Sequence, residues 1–305
     1  MKLSPTQKKT WLPYLLLTLT ALFWSGNFVL GRGIRMVIPP VSLNFWRWVG
    51  ALMILSPFGV PRIRSQYALF RRSWMLLALL SIPSVTIFNA FIYTALRATT
   101  TTNTVLVNAM VPIFIAVILL LVFREPMGIR QSAGVAVSLI GLLFIITHGN
   151  LAVLTTLSFS RGDLWTLGAG VSWALYSVLL RFRPLNMDPI AFLTALVFFG
   201  LVFMLPFYLW EYAGQGGFEL TTVSLASIAY VSVFPSVLAY IFWNFGVARV
   251  GANRAGIFFH LMPVFSIVLA RLFLGEQFGL NHLVGMVLIF SGIAMTTLPA
   301  ARGTR

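Results

Sequence analysis

The chain has 305 residues, 59% of them hydrophobic and only 9% charged, with a net charge of +15 and a mean hydropathy of +0.93. A soluble surface cannot be assembled from so few charges, so lipid is the solvent for most of the chain. The basic residues sit in short gaps between apolar runs, which argues against a nucleic-acid face, and the absence of cysteine removes disulfides, thiol nucleophiles and thiolate metal sites.

In chain order, apolar runs of roughly 17–25 residues, the length that crosses a bilayer, fall at about 12–31, 41–59, 73–96, 103–123 and 129–147. Five more fall at about 163–181, 188–210, 222–247, 255–274 and 280–298. The fold class this predicts is an all-α polytopic membrane protein with ten transmembrane helices. The connectors are short and carry turn chemistry, as in Pro39-Pro40, Arg124-Glu125-Pro126 and Gly214-Gln215-Gly216-Gly217. No small-residue cleavage site follows the first run, so a removable signal peptide is not expected.

Charge gives the orientation. With the N-terminus inside, fifteen Lys and Arg fall on inner segments, among them Lys8, Lys9, Arg62, Arg64, Arg71, Arg72, Arg181 and Arg183. Four fall outside (Arg32, Arg35, Arg97, Arg161), and Arg47 and Arg271 lie within spans. This positive-inside bias predicts that both termini are cytoplasmic.

Residues 111–141 and 262–292 are diverged copies of one segment, offset by 151 positions. Pro112 pairs with Pro263, Phe114 with Phe265, Glu125 with Glu276, Gly134 with Gly285 and Gly141 with Gly292. The chain therefore divides into a first five-helix repeat, 1–147, and a second, 148–305. Because five is odd, the second repeat enters the membrane upside down, an arrangement that recurs in carriers with a site at the repeat interface.

The same register selects candidate site residues. Asn89 pairs with Tyr240 and Tyr93 with Asn244, so each repeat carries one Asn and one Tyr at i and i+4, in swapped order. Residues four apart share a helix face, and such polar groups turn away from lipid. At an offset of 149, Trp24 and Asn27 align with Trp173 and Tyr176, pairs suited to clamp an amphipathic solute by stacking and hydrogen bonding. Asn108 and His260 are almost equivalent across the repeat, and Trp243 lies beside Asn244. His260 invites a proton-relay reading, although a histidine without an acid partner is more often a packing residue. Arg47 reads either as a carboxylate ligand or, more in keeping with its place, as a structural side chain snorkelling to the outer surface. Trp11, Trp46, Trp48, Trp74 and Trp210 read as an interfacial aromatic belt. Paired prolines, Pro83 with Pro235 and Pro112 with Pro263, read as hinges, since each removes a backbone hydrogen bond. Small residues (Ala133, Gly134, Ser138 and Gly141 in the fifth span; Gly285, Ser291 and Gly292 in the tenth) mark scaffold or oligomer contacts, leaving monomer and homodimer both open.

Taken in order, ALFWSGNFVLGR, NFWRWVGA, YTALRATTTTNTVLVNAMVPIF with FREP, WALYSVLLR, and AYIFWNFGVARVGANRAGIFFHLMPVF with LGE resemble the EamA branch of the drug/metabolite transporter superfamily. The resemblance spans nearly the whole chain. It implies ten helices in inverted repeats, a bacterial inner (cell) membrane, and movement of small organic solutes, often export; the family includes exporters of amino acids, aromatic ones among them.

The expected function is thus an inner-membrane carrier exporting small amphipathic metabolites, foremost amino acids. The lining is read as uncharged and aromatic. No carboxylate lies in mid-span, so passive transport competes with proton coupling. An exporter of drugs or other metabolites and a channel-like facilitator are the alternatives. An enzyme would need a nucleophile–base pair or a metal cluster. The three His (His148, His260, His282) are scattered, so catalysis, metal and cofactor are not expected, and the partners are a small-molecule substrate and membrane lipids.

Overall fold

The computed structural model describes residues 5–99, 104, 107–147, 160–274 and 279–297, and every regular element among them is helical. The first repeat comprises α1 (Pro5–Gly33), α2 (Pro40–Ser65), α3 (Tyr67–Ala98), α4 (Val111–Phe123) and α5 (Ile129–Ile146). The second comprises α6 (Arg161–Leu179), α7 (Pro189–Gln215), α8 (Thr222–Val250), α9 (Ala252–Gly256, a 3-10 turn Ile257–His260, then Leu261–Leu274) and α10 (Leu280–Thr297). Six described helices are both long and apolar enough to cross a membrane: Trp11–Gly33, Tyr67–Ala98, Pro189–Gln215, Thr222–Val250, Ala252–Leu269 and Leu280–Thr297. Val111–Phe123 and Ile129–Ile145 are apolar but shorter, while α2 and α6, at 26 and 19 residues, carry more polar groups. Glu276 and His148 lie outside the described residues.

Helix starts follow from local chemistry. Pro40 and Pro189 stand in the first turns of α2 and α7, where a missing N–H is no loss. Asp188 caps α7 by accepting from the amides of Ile190 and Ala191 at 2.9 and 3.2 Å. The α2 N-terminus is capped from another helix: the buried Glu211 carboxylate accepts from Val41 N, Ser42 N and Ser42 Oγ at 3.1, 2.6 and 2.8 Å.

Equivalent helices pack against each other, running antiparallel. Along α2 and α7, Ser42 meets Glu211, Gly59 meets Thr194 and Gln66 meets Asp188. Along α5 and α10, Gly134 meets Gly292 and Gly141 meets Gly285, so close that a Cβ on Gly285 would sit 2.7 Å from the Gly141 carbonyl oxygen. The small-residue faces are thus used inside the chain. The remaining contacts obey the same two-fold logic: α1 runs antiparallel along α8 (Thr20 by Ala239, Trp24 by Pro235) as α6 does along α3 (Ser172 by Pro83, Asp163 by Thr99).

The paired prolines divide into two kinds. Pro83 and Pro235 lie in π-helical segments, Ile82–Ile87 within α3 and Ser232–Leu238 within α8. The altered register frees carbonyls, and side chains take them up: Ser172 Oγ donates to Pro83 O at 2.8 Å and Trp24 Nε1 to Pro235 O at 3.2 Å. Pro112 instead stands in the first turn of α4, where proline costs no helical bond, and Pro263 is the third residue of Leu261–Leu274, directly after the 3-10 turn Ile257–His260.

Candidate functional site

The centre of the bundle holds a polar cluster built around Arg47, which is fully buried on α2. Its Nε donates to Ser236 Oγ at 2.8 Å, and its Nη1 to Asn89 Oδ1 and Tyr93 Oη, both at 2.8 Å. Asn27 Oδ1 lies 3.4 Å from Nη1 and accepts the Tyr93 hydroxyl at 2.6 Å. One side chain thus ties α1, α2, α3 and the π segment of α8. The guanidinium does not snorkel, and the lining is not uncharged: both readings from sequence are corrected here. Fixed acceptors from three other segments outcompete the outer surface for the guanidinium.

Its positive charge is left without a counter-ion among the described residues. The described acids sit at helix ends: Glu211 at the α2 N-terminus, Asp163 bonded to Thr99 at 2.8 Å, Asp188 capping α7, Glu125 paired with Arg181, and Glu219 before α8. Nη2 of Arg47 has no hydrogen-bond partner among the described residues.

Against the polar cluster lies an aromatic cage. The Arg47 guanidinium is 5.1 Å from the Trp48 ring centroid, and Trp48 meets Tyr240 edge-on at 4.9 Å. Tyr240 meets Trp173 at 5.2 Å, and Trp173 meets Trp24, Tyr176 and Trp243 at 4.8, 5.2 and 5.6 Å. Phe259 closes the group, 5.3 Å from Trp24 and 5.4 Å from Trp243. Asn89 faces the hydroxyl of its repeat mate Tyr240, which donates to Ser84 O at 2.5 Å. The mate of the Asn27–Tyr93 bond is also present: Tyr176 donates to Asn244 Oδ1 at 2.7 Å.

Of the residues selected from sequence, Trp24, Asn27, Asn89, Tyr93, Trp173, Tyr176, Tyr240, Trp243 and Asn244 come together. Two stand apart. His260 is buried with Nε2 2.9 Å from Ala109 O and Nδ1 2.6 Å from Ser138 Oγ, tying α9 to α5. A carbonyl only accepts, so Nε2 carries the hydrogen and Nδ1 accepts from the serine. Asn108 reaches Met262 Sδ at 3.8 Å. The structure adds Arg47, Trp48, Phe259 and Ser236. Trp48 is no belt residue, being fully buried, whereas Trp210 is 79% exposed.

The two ends of the bundle differ. At one, Arg32 Nη1 donates to Leu96 O at 2.8 Å and Thr99 to Asp163, joining α1, α3 and α6. At the other, a cavity of about 400 Å³ opens between the ends of α6 and α8, lined by Ser177, Arg181, Arg183, Asn253 and Arg254. A second, of about 300 Å³, runs from Arg183 and Arg249 to Asn244. Arg183 donates to Asn244 O at 3.3 Å, and burial pulls its guanidinium below the ordinary value.

An all-helical bundle of apolar spans, folded about an internal two-fold with a closed polar-aromatic centre, is a multi-pass membrane protein built as a two-repeat transporter. The chain belongs to the EamA-like transporter family, whose model matches residues 11–147 and again 160–298. It is similar to the uncharacterized transporter YyaM of Bacillus subtilis (27% identity over 92% of each chain). It is also similar to an uncharacterized transporter of Archaeoglobus fulgidus (29%, over 93% of this chain and 96% of that one), and to the chloroplastic WAT1-related protein At3g02690 of Arabidopsis thaliana (23%, 95% and 70%). One solved crystal structure matches with a TM-score of 0.74 at 17% identity, over 93% of this chain and 95% of the other, a likeness of fold.

Proposed function

We propose that the chain is a ten-span carrier of small amphipathic metabolites, amino acids foremost, working by alternating access between repeats 1–147 and 148–305. The observation that carries this reading is the matched pair of hydrogen bonds, Asn27 with Tyr93 and Tyr176 with Asn244, spanning equivalent helices on both sides of the central cage. Under two-fold exchange each repeat can take the shape of the other, and the site between them meets each side in turn. Asn27, Asn89, Tyr93 and Asn244 supply the polar contacts; Trp24, Trp173, Tyr176, Tyr240 and Trp243 hold the apolar body. Pro83 and Pro235 in the π segments are the hinges, and Asn108 and His260 support the wall. With the termini in the cytoplasm of a bacterial inner membrane, the arginine-lined cavity faces the cytoplasm, as an exporter loading its cargo requires.

Counterflow in proteoliposomes tests the proposal, using labelled amino acids, nucleosides and cationic drugs. Saturable, trans-stimulated flux reduced in Trp24→Ala, Tyr93→Ala and Asn244→Ala supports it. Unsaturable flux would make the protein a channel, and unchanged flux in all three variants would sink the site.

A further inference from the structure

The buried charge of Arg47 says more about the cargo than the aromatic cage does. Three of its donor directions end on neutral acceptors, Ser236 Oγ, Asn89 Oδ1 and Tyr93 Oη, which satisfy hydrogen bonds without neutralising the cation. The two hydrogens on Nη2 have no acceptor in a residue with no solvent exposure. A guanidinium kept only for structure is normally fully bonded and paired, because an isolated buried charge is strongly unfavourable. Trp48, Trp173 and Trp243 each leave a buried indole N–H unpartnered in the same contiguous group. Of the orphan amide acceptors, Asn108 Oδ1 lies beside Met262 and Asn253 Oδ1 at the open end, while Asn44 Oδ1, one turn before Arg47 and Trp48 on α2, is neutral and cannot offset the charge. What the centre lacks is an anion.

We propose that Arg47 anchors the carboxylate of an organic anion whose aromatic or aliphatic body rests on the Trp24–Trp173–Trp243 cage, so that the site selects amphipathic monocarboxylates over zwitterions and cations. This rests on the carrier reading above and, among its small amphipathic metabolites, puts monocarboxylates ahead of amino acids as cargo. A guanidinium fork matches a carboxylate in geometry as well as in charge. The ammonium of an amino acid would also have to leave water, and no described carboxylate reaches the cluster; ring faces and neutral amide oxygens are all it would meet. Arg183, Arg249 and Arg254 line the cavities at the open end, where they raise the local concentration of anions.

A consequence follows for energetics. A monoanion is driven out of a cell by an inside-negative potential, and 100 mV sustains roughly a fifty-fold gradient. Export of such a cargo needs no proton-coupling carboxylate.

Three ligands sharing one ring test this on the purified full-length protein: 3-phenylpropanoate (carboxylate alone), phenylalanine (carboxylate and ammonium) and 2-phenylethylamine (ammonium alone). Binding is read by calorimetry and by ligand-induced thermal shift. The expected order places 3-phenylpropanoate at least about tenfold tighter than phenylalanine, with 2-phenylethylamine weakest, the scale of one charge-assisted contact. Arg47→Gln, verified as folded by gel filtration, is expected to lose about ten- to hundredfold for 3-phenylpropanoate and little for 2-phenylethylamine. Arg47→Lys is expected to recover part of that loss, as charge without the fork. Tightest binding of phenylalanine or of 2-phenylethylamine overturns the proposal. So does equal 3-phenylpropanoate affinity in folded Arg47→Gln, or no binding of 3-phenylpropanoate by the parent. Counterflow separates this from the carrier reading: binding without counterflow sinks the carrier and leaves the anion site, whereas saturable counterflow of another solute without anion binding does the reverse.

Discussion

In the first repeat Tyr93 on α3 gives its hydroxyl hydrogen to Asn27 on α1 at 2.6 Å; in the second, Tyr176 on α6 gives its own to Asn244 on α8 at 2.7 Å. The helices are equivalent, the distances nearly equal, and the donor and acceptor have traded places. What differs is the neighbour. The first pair sits under Arg47, and the position 149 residues on, set by Pro40 with Pro189 and by Pro57-Phe58 with Pro206-Phe207, is the buried Leu196. Duplication thus supplied the same scaffold twice, and divergence placed the buried arginine at its centre on one side only. Under the carrier proposal the shared bonds define a frame that both conformations can use, and the unshared arginine is the proposed seat of selectivity for cargo.

Making the first repeat resemble the second is the most severe break. Arg47→Leu is expected to reduce counterflow about a hundredfold, the loss of a strong charge-assisted contact to cargo. The same variant is expected to keep or raise the unfolding temperature in detergent, since replacing an uncompensated buried charge by an apolar side chain is often neutral or stabilising. A marked fall in stability together with flux would instead make Arg47 a structural keystone.

The cage side of the comparison is sharpened by Trp173→Ala. Trp173 is fully buried and touches Trp24, Phe88, Tyr176, Tyr240 and Trp243, so the substitution empties the centre of the cluster. A loss of about 3–5 kcal/mol is expected by denaturant unfolding in detergent. Trp210→Ala, at an exposed position, should change stability by a few tenths at most. Equal losses would mean that the cage is no more tightly packed than the rim.

The difference between these residues shows how far the sequence could be read. The repeat register carried the fold and most of the site, because mates at constant offsets must meet when the halves associate. It placed Tyr93, Tyr176 and Asn244 at the centre, although it paired Asn89 with Tyr93 along one helix, where the structure bonds partners between helices. Arg47 was misread because its position, seven residues into α2, is within reach of the surface for a long side chain. Its partners Asn27, Asn89 and Ser236 come from three other segments, and no local pattern announces that convergence. Trp48 shared that fate, lying beside Arg47 in sequence. The prolines show the same limit: Pro83 and Pro112 look alike in the sequence, yet one lies within a π segment and the other begins a helix.

A finer cut at the matched bonds compares Tyr93→Phe with Tyr176→Phe. Each removes one hydroxyl and keeps the ring. Tyr93 also accepts from the Arg47 guanidinium, so its loss should cost about 1.5–3 kcal/mol, against about 0.5–1.5 kcal/mol for Tyr176, where a neutral amide is the partner. Unfolding free energies of the two variants in one detergent give the ratio. Equal costs would show that the arginine adds nothing to the first bond, and the asymmetry argued above would lose its energetic content.

The smallest effect belongs to the open end. Arg181 donates to Glu125 through Nη1 and Nη2 at 3.1 and 2.7 Å, and the guanidinium lies 4.4 Å over the Phe123 ring. The hydrogen bond from Arg181 holds the Glu125 carboxyl below its ordinary range, so the folded protein keeps it ionised at a pH where the unfolded chain begins to protonate it. The sign follows: the pair contributes stability above the unfolded value, and that contribution fades as pH falls through the lower folded value. The carboxylate is solvent-exposed, so the effect is small and salt weakens it further. Glu125→Gln is therefore expected to leave counterflow near the parental rate at neutral pH and to flatten the acid side of the stability profile slightly. A large loss of flux at neutral pH would instead make this pair part of a gate across the arginine-lined cavity, moving one determinant of transport from the centre of the bundle to its mouth.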